Sequence, residues 1–229
     1  VIAEHATIGI VITTDGTITD LPREAYPEAE GRVIEELKAL GKPFLILLNS
    51  AHPQGEAAQK LRAKLAEQYD VTCLAVSCLD LDQQAVTEII QAVLYEFPLE
   101  ELQLFLPDWV ETLPTEHPIR TALFQAIRAQ AGKLVRIRDV KPAVAAMGQC
   151  ELVTGASVTG MKLGSGCCQA RLELPRSLFY DTLSQQTGFA LHSDGELLAL
   201  LERLAVVQAE HQKVAAAMEE VRATGYGIV

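Results

Sequence analysis

The chain has 229 residues, of which 49% are hydrophobic, 21% charged and 5% aromatic. That predicts one large or two small globular domains and excludes collagenous, low-complexity and disordered classes. A formal charge of −11 speaks against a basic nucleic-acid surface, and no apolar run approaches the roughly 18–20 residues of a spanning helix.

From its first residues the chain reads as alternating strands and helices. The run TIGIVITT (7–14), closed by Asp15-Gly16, predicts a strand buried on both faces. Residues 28–40 predict a helix with Val33, Ile34, Leu37 and Leu40 on one face, stopped by Gly41 and Pro43. FLILL (44–48) is a second buried strand, and 57–69 a second helix with Leu61, Leu65 and Tyr69 aligned. VTCLAVS (71–77) is a third strand. Asp82 then caps a helix to about residue 96, with Val86, Ile89, Ile90, Val93 and Leu94 inward. Three consecutive βα units imply a parallel sheet with right-handed crossovers.

The second half differs. Residues 1–115 carry 7 Lys and Arg against 19 Asp and Glu, while residues 116–229 carry 12 against 11. This charge step and the prolines at 107, 114 and 118 predict two domains, 1–112 and 113–229. A helix is expected at 119–128, strands and turns over 151–163 and 168–174, and a long terminal helix of roughly 28 residues behind a Ser193/Glu196 capping box. Its residues Leu197, Leu200, Leu204, Val207, His211, Val214, Met218 and Val221 form a heptad seam. Such a seam packs either inside its own domain or against a neighbouring subunit. The overall class is α/β, a partial parallel-sheet domain followed by a smaller α+β domain with a long C-terminal helix.

In open parallel sheets, ligands bind beyond the carboxyl ends of the strands. Three polar segments fall there: Thr13-Thr14-Asp15-Gly16, Asn49-Ser50-Ala51-His52-Pro53 and Ser77-Cys78-Leu79-Asp80. Each also reads as an ordinary turn. The phosphate-binding pattern GxxxxGK[ST] does not occur in these residues; the Gly-rich GMKLGSG (160–166) has the wrong spacing and reads as a turn between strands. Cys73, Cys78, Cys150, Cys167 and Cys168 include no CxxC pair, which with no signal-peptide pattern predicts reduced thiols. The vicinal Cys167-Cys168 pair points to opposite strand faces, so no metal site is expected, and no catalytic residue is assigned.

The block from Ile2 to Ser50, the run VLYEFPLEELQLFLPDWV (93–110), IRDV (137–140) and TGYGI (224–228) together resemble the stage IV sporulation protein A family, morphogenetic ATPases of the spore coat in endospore-forming bacteria. The resemblance implies a P-loop NTPase-like fold, similar to translation-factor GTPases, then a middle domain. It implies ATP and Mg as cofactors, with ATP hydrolysis driving self-assembly into the coat's basal layer. Implied partners are a homopolymer of the protein itself, other coat proteins and, through a C-terminal region, a small amphipathic membrane peptide, with no nucleic acid. The implied location is the mother-cell cytoplasm at the forespore surface. The chain, opening at Val1, is expected to be an internal fragment without the phosphate-binding loop and inactive alone. By this resemblance Asn49, Ser50, Ser77 and Cys78 contribute to nucleotide binding, and Thr13, Thr14 and Asp15 to the surroundings of magnesium. Where related GTPases carry Asn-Lys-x-Asp, this chain has Asn49-Ser50-Ala51-His52. Imidazole cannot supply the two acceptors that the guanine N1–H and N2–H2 need, which fits ATP. Alternative readings are a subunit-contact module with nucleotide only as trigger, and a stand-alone α/β enzyme.

Overall fold

The computed structural model describes residues 6–225. It divides into two units, Val1–Glu173 and Leu174–Val229. Residues 226–228 of the TGYGI run and the Met218 side chain lie outside the described residues.

The first unit begins with β1 (Gly9–Thr14), α1 (Pro27–Ala39), β2 (Phe44–Asn49), α2 (Glu56–Tyr69), β3 (Cys73–Val76) and α3 (Gln83–Tyr95). The strands form one parallel sheet in the order β1-β2-β3. β2 is central, and its alternation of faces builds two cores. Phe44, Ile46 and Leu48 pack with Ile34 and Leu37 of α1 and Leu65 and Tyr69 of α2. Leu45 and Leu47 pack with Ile89 and Val93 of α3. The Asp82 carboxylate caps α3 by accepting from the Ala85 amide at 2.7 Å, as its position predicts.

Burial expectations are corrected on three elements. β1 is buried on one face only: Val11 and Thr13 are buried, whereas Ile10 and Ile12 are 45% and 63% exposed. On α3, Val86 and Ile90 are exposed rather than inward. The two departures share a cause. α3 packs over β2 and β3, which leaves one face of β1 and the flank of α3 as walls of an open apolar groove that includes Ile8, Ile10, Ile90 and Phe97. Val33 and Leu40, expected on the inner face of α1, are also exposed; burial there is confined to Ile34, Leu37 and Glu30.

The same unit carries a second sheet: β4 (Glu101–Phe105), β5 (Gly155–Lys162) and β6 (Cys167–Glu173) in the order β4-β6-β5. β4 runs parallel to β6, and β5 pairs antiparallel with it. Between them lie α4 (Asp108–Glu111), α5 (Pro118–Ala131) and α6 (Val140–Met147). Ile137, Val140 and Val144 pack on Cys168 and Ala170. The GMKLGSG run ends β5 and turns into β6. Gly166 has φ +66°, and a Cβ there would sit 2.8 Å from the Pro98 carbonyl, so this turn requires glycine. Cys168 is fully buried and Cys167 half-buried, as alternation along β6 demands.

The second unit is a helical hairpin of α7 (Arg176–Thr187) and α8 (Asp194–Thr224). Tyr180, Leu191 and Leu200 form its core, with Phe179, Leu183 and Leu197 at the margin. Ser193 caps α8 by accepting from the Glu196 amide at 3.3 Å, and Glu196 accepts from the His192 amide at 2.7 Å. Of the heptad seam, Leu197 and Leu200 pack within this hairpin. Leu204, Val207, His211, Val214 and Val221 are exposed.

Candidate functional site

The parallel register brings three strand ends level. Thr14 pairs with Asn49, and Asn49 with Val76, so the segments after β1, β2 and β3 open on one sheet edge. The ladders run one residue further: the Asp15 amide donates to the Asn49 carbonyl at 3.4 Å and the Ser50 amide to the Val76 carbonyl at 3.0 Å.

Side chains then tie the loops together. Asn49 Oδ1 accepts from the Cys78 amide at 2.9 Å, so the β2 end fixes the loop after β3. This bond spans 29 residues and is not a local turn contact. Thr17 Oγ1 donates to Asp15 Oδ1 at 2.6 Å and accepts from the Ala51 amide at 2.9 Å, which joins the loops after β1 and β2. Ser50 is buried, and its hydroxyl accepts from the His52 amide at 3.0 Å. The His52 side chain belongs to an exposed residue.

Asp15 is the charged group of this network. Partial burial raises its pKa, but hydrogen bonds from the Ser50 and Thr17 side chains and the Thr17 amide outweigh that and hold the carboxyl below its usual value. A depressed folded-state pKa contributes stability above the unfolded value near 3.8 and loses it as pH falls through the folded pKa. The loop brace is therefore expected to hold at neutral pH and loosen below about pH 4. Hydrogen exchange at the Thr17 and Ala51 amides checks this: protection should fall with acid, and Asp15→Asn should remove the pH dependence.

The remaining candidates are engaged locally. Thr13 Oγ1 accepts from Arg23 at 3.0 Å, and the same guanidinium holds the buried Glu30 through contacts of 2.8 and 3.0 Å. Thr14 Oγ1 accepts from the Gly16 amide at 3.1 Å, and Ser77 donates to Asp80 at 2.8 Å. These side chains shape the loops. The backbone amides of the loops and the Asp15 carboxylate are the groups with chemistry to offer a ligand. Among the described residues no group of three or more His, Cys, Asp or Glu is gathered for a metal ion. Sequence reading passed over Thr17 and the Arg23–Glu30 pair; the Asp-Gly-Thr spacing, an Asx-turn pattern, was the available signal for Thr17.

A cleft of about 410 Å³ lies at the opposite, amino ends of the strands, lined by Lys38, Lys42, Phe44, Glu96, Pro98 and Arg136 among others. Its cations are committed: Arg136 bonds Glu96 at 3.0 Å and Lys42 donates to the Ala6 carbonyl. The strand-end loops are the better candidate.

Family models for stage IV sporulation protein A match the whole chain, the ATPase domain over residues 1–98 and the middle domain over residues 99–229. The chain belongs to the stage IV sporulation protein A family. It is 36% identical over 229 residues to the protein of that name from Clostridioides difficile (strain 630) and 38% identical over 228 residues to that from Bacillus subtilis (strain 168). Each match covers 100% of this chain but 47% and 46% of the relative, so the chain spans about half the length of the curated relatives it matches. No solved structure matches it. The two family models meet between residues 98 and 99, and β4 pairs with β6 in the second sheet. The strand-end loops all fall within the matched ATPase domain. No helix among the described residues is long and apolar enough to cross a membrane.

Proposed function

We propose that residues 1–98 supply the base-binding side of an ATP site in a P-loop NTPase-like domain, similar to translation-factor GTPases. The complete protein would use ATP hydrolysis to drive its self-assembly into the basal layer of the spore coat at the forespore surface. The observation that carries the reading is the Asn49 Oδ1 bond to the Cys78 amide at the level carboxyl ends of β2 and β3. It holds the loop after β3 in one conformation, and a site is effective when its donors are fixed before the ligand arrives. His52 in place of an acidic residue removes the acceptor pair that selects guanine.

The phosphate side of the site is assigned to chain beyond these 229 residues, since the pattern that cradles phosphates does not occur within them. Magnesium bound with ATP would neutralise phosphate charge and takes oxygen ligands. Asp15 is the carboxylate that follows β1, and it already accepts two bonds from Thr17. Asp15 thus fits a contact to water around the ion better than direct ligation. Residues 99–229 are the middle domain, and their role is placed in assembly. Other coat proteins and a membrane peptide remain proposed partners of the complete protein.

Turnover measurements test this. The complete protein should hydrolyse ATP in preference to GTP, and residues 1–229 alone should hydrolyse neither. Sedimentation with ATP should give assemblies that a non-hydrolysable analogue does not. Turnover by residues 1–229 alone, or a preference for GTP, overturns the assignment. A second reading, a subunit-contact module with nucleotide only as trigger, is favoured by the exposed apolar residues of β1, α3 and α8; assembly that proceeds equally with the analogue would select it.

A further inference from the structure

We propose that the outer face of α5 is a docking site for an acidic peptide segment of a partner protein, one that presents two carboxylates on either side of an apolar side chain. The proposal rests on neither the nucleotide reading nor the self-assembly reading.

The chain carries 30 Asp and Glu against 19 Lys and Arg, yet residues 117–138 hold Arg120, Arg128, Lys133, Arg136 and Arg138 and no Asp or Glu. Arg136 and Arg138 bind Glu96, and Lys133 donates to Gln130 at 3.3 Å. Arg120 and Arg128 remain, both on α5. Positions 120, 124 and 128 share one helix face, with 121 and 125 beside them. Leu123 is buried and anchors the inner face. The outer face borders an open concavity of about 350 Å³ lined by Thr115, Arg120, Thr121, Phe124, Gln125 and Arg128. None of these is acidic, and Arg128 makes no hydrogen bond or ion pair among the described residues. Arg120 is steadied from two sides. It donates to the Leu113 carbonyl at 2.6 Å, and its guanidinium carbon lies 5.7 Å from the centre of the exposed Phe124 ring. Helix stability does not explain Arg120. It sits in the first turn of α5, which holds no acid, and there the positive end of the macrodipole disfavours a cation. An arriving anion would satisfy both.

Spacing and charge select the occupant. Arg120 and Arg128 lie about two turns apart, about 12 Å along the helix, and the Leu113 carbonyl tethers Arg120 at its own end. A lone carboxylate meets one of them. In an extended peptide, successive side chains alternate faces and rise about 3.3 Å per residue. Positions i and i+4 are then about 13 Å apart on the same side, with i+2 between them. Carboxylates at i and i+4 pair with the two guanidinium groups in charge-assisted bonds, and an apolar residue at i+2 rests on Phe124. The hydroxyl of Thr121 and the amide of Gln125 can both donate and accept, which suits the backbone of such a strand. The pattern recognised is acid-x-apolar-x-acid. A wholly apolar segment would cover two guanidinium groups without pairing them, which is costly. A nucleic-acid strand would bring many phosphates to a chain of net charge −11, where two arginines neutralise few of them.

Fluorescence anisotropy of the 229-residue chain with a labelled peptide, Ser-Glu-Thr-Leu-Thr-Glu-Ser, tests the site. The peptide should bind, and added salt should weaken it. A peptide of the same composition with its two glutamates adjacent should bind at least about tenfold more weakly. Arg128→Glu should also cost about tenfold or more. The residue is exposed and unpartnered among the described residues, so circular dichroism should not change. Arg128→Lys keeps the charge but loses the planar fork, and should lose less than Arg128→Glu. Equal binding of the two peptides, undiminished binding to the Arg128→Glu chain, or no binding at about millimolar peptide would each overturn the proposal. So would displacement of the peptide by an equal concentration of inorganic phosphate, which would mark a simple anion site. Sedimentation of the chain without peptide reads the competing occupant: self-association that Arg128→Glu abolishes would give this face to a second copy and overturn the assignment to a partner peptide.

Discussion

Replacing Glu96 by alanine is expected to lower the unfolding free energy by about 1.5–3 kcal/mol, the range typical of losing buried hydrogen bonds to a charged group. Glu96 follows α3 as its C-cap, and its side chain is 1% exposed. One oxygen accepts from the Thr72 amide at 3.1 Å, from the Thr72 hydroxyl and from Arg138 at 3.2 Å. The other accepts from Arg136 at 3.0 Å. Both arginines also reach the carbonyl of Asp70, at 3.0 Å from Arg136 and 2.7 Å from Arg138. Asp70 ends α2 in a left-handed conformation with φ 49°, which a non-glycine residue adopts only with support. The cluster thus fastens the corner between α2 and β3 to the IRDV segment that leads into the second sheet. Alanine removes one acceptor from each of two guanidinium groups and the side-chain acceptor of the Thr72 amide. Chemical denaturation of the parent and variant reads the loss. Glu96→Gln keeps an acceptor for Thr72 without the charge and should fall between them. A loss below about 1 kcal/mol, the scale of an exposed pair, would show that these contacts are not buried in solution.

This cluster also marks where the sequence stops being legible. The elements of the first sheet were readable because each apolar strand ends in a polar or glycine-containing turn and each helix carries a periodic face. Asp82 announced its helix through capping chemistry, and Ser193 with Glu196 did the same for α8. Burial was less legible than element type. Periodicity places Ile10, Ile12, Val86 and Ile90 on inward faces, but a face is buried only where another element covers it, and that is a tertiary fact. β4 was missed because Glu101–Phe105 alternates polar and apolar residues on a half-exposed strand beside prolines. α6 and α7 carry no clear periodic signal: α6 is eight residues long and apolar at most positions, and α7 mixes polar and apolar residues around its circumference. At the site, the positions of Asn49 and Ser50 followed from the strand ends, whereas the Thr17 brace depends on which loops the parallel register brings level. For Glu96, Arg136 and Arg138 nothing in the spacing reports that residues 40 and 42 positions apart meet.

The last expected result concerns Asn49. In the complete protein, Asn49→Ala should weaken ATP binding by about tenfold, with a stability loss of about 1–3 kcal/mol or less, the cost of leaving one partly buried amide without its acceptor. The reasoning follows the bond. Asn49 Oδ1 is the acceptor for the Cys78 amide, and β3 has only four residues, Cys73–Val76, so few ladder bonds restrain the loop beyond it. Without Oδ1 the loop samples several conformations, and a ligand must order it on binding, which reduces affinity by the fraction of time the competent form is present. Asn49→Asp separates this from a simple folding defect. A carboxylate keeps the acceptor and should preserve the Cys78 bond, so loop protection in hydrogen exchange should stay near the parent level. Its added negative charge would still oppose a polyphosphate ligand, so its ATP affinity is expected to fall while the loop stays ordered. The pair of variants therefore dissociates loop order from binding. If Asn49→Ala leaves both the exchange of the Cys78 amide and ATP affinity unchanged, the cross-link between the two strand ends does not organise a base site, and residues 1–98 must meet the nucleotide elsewhere.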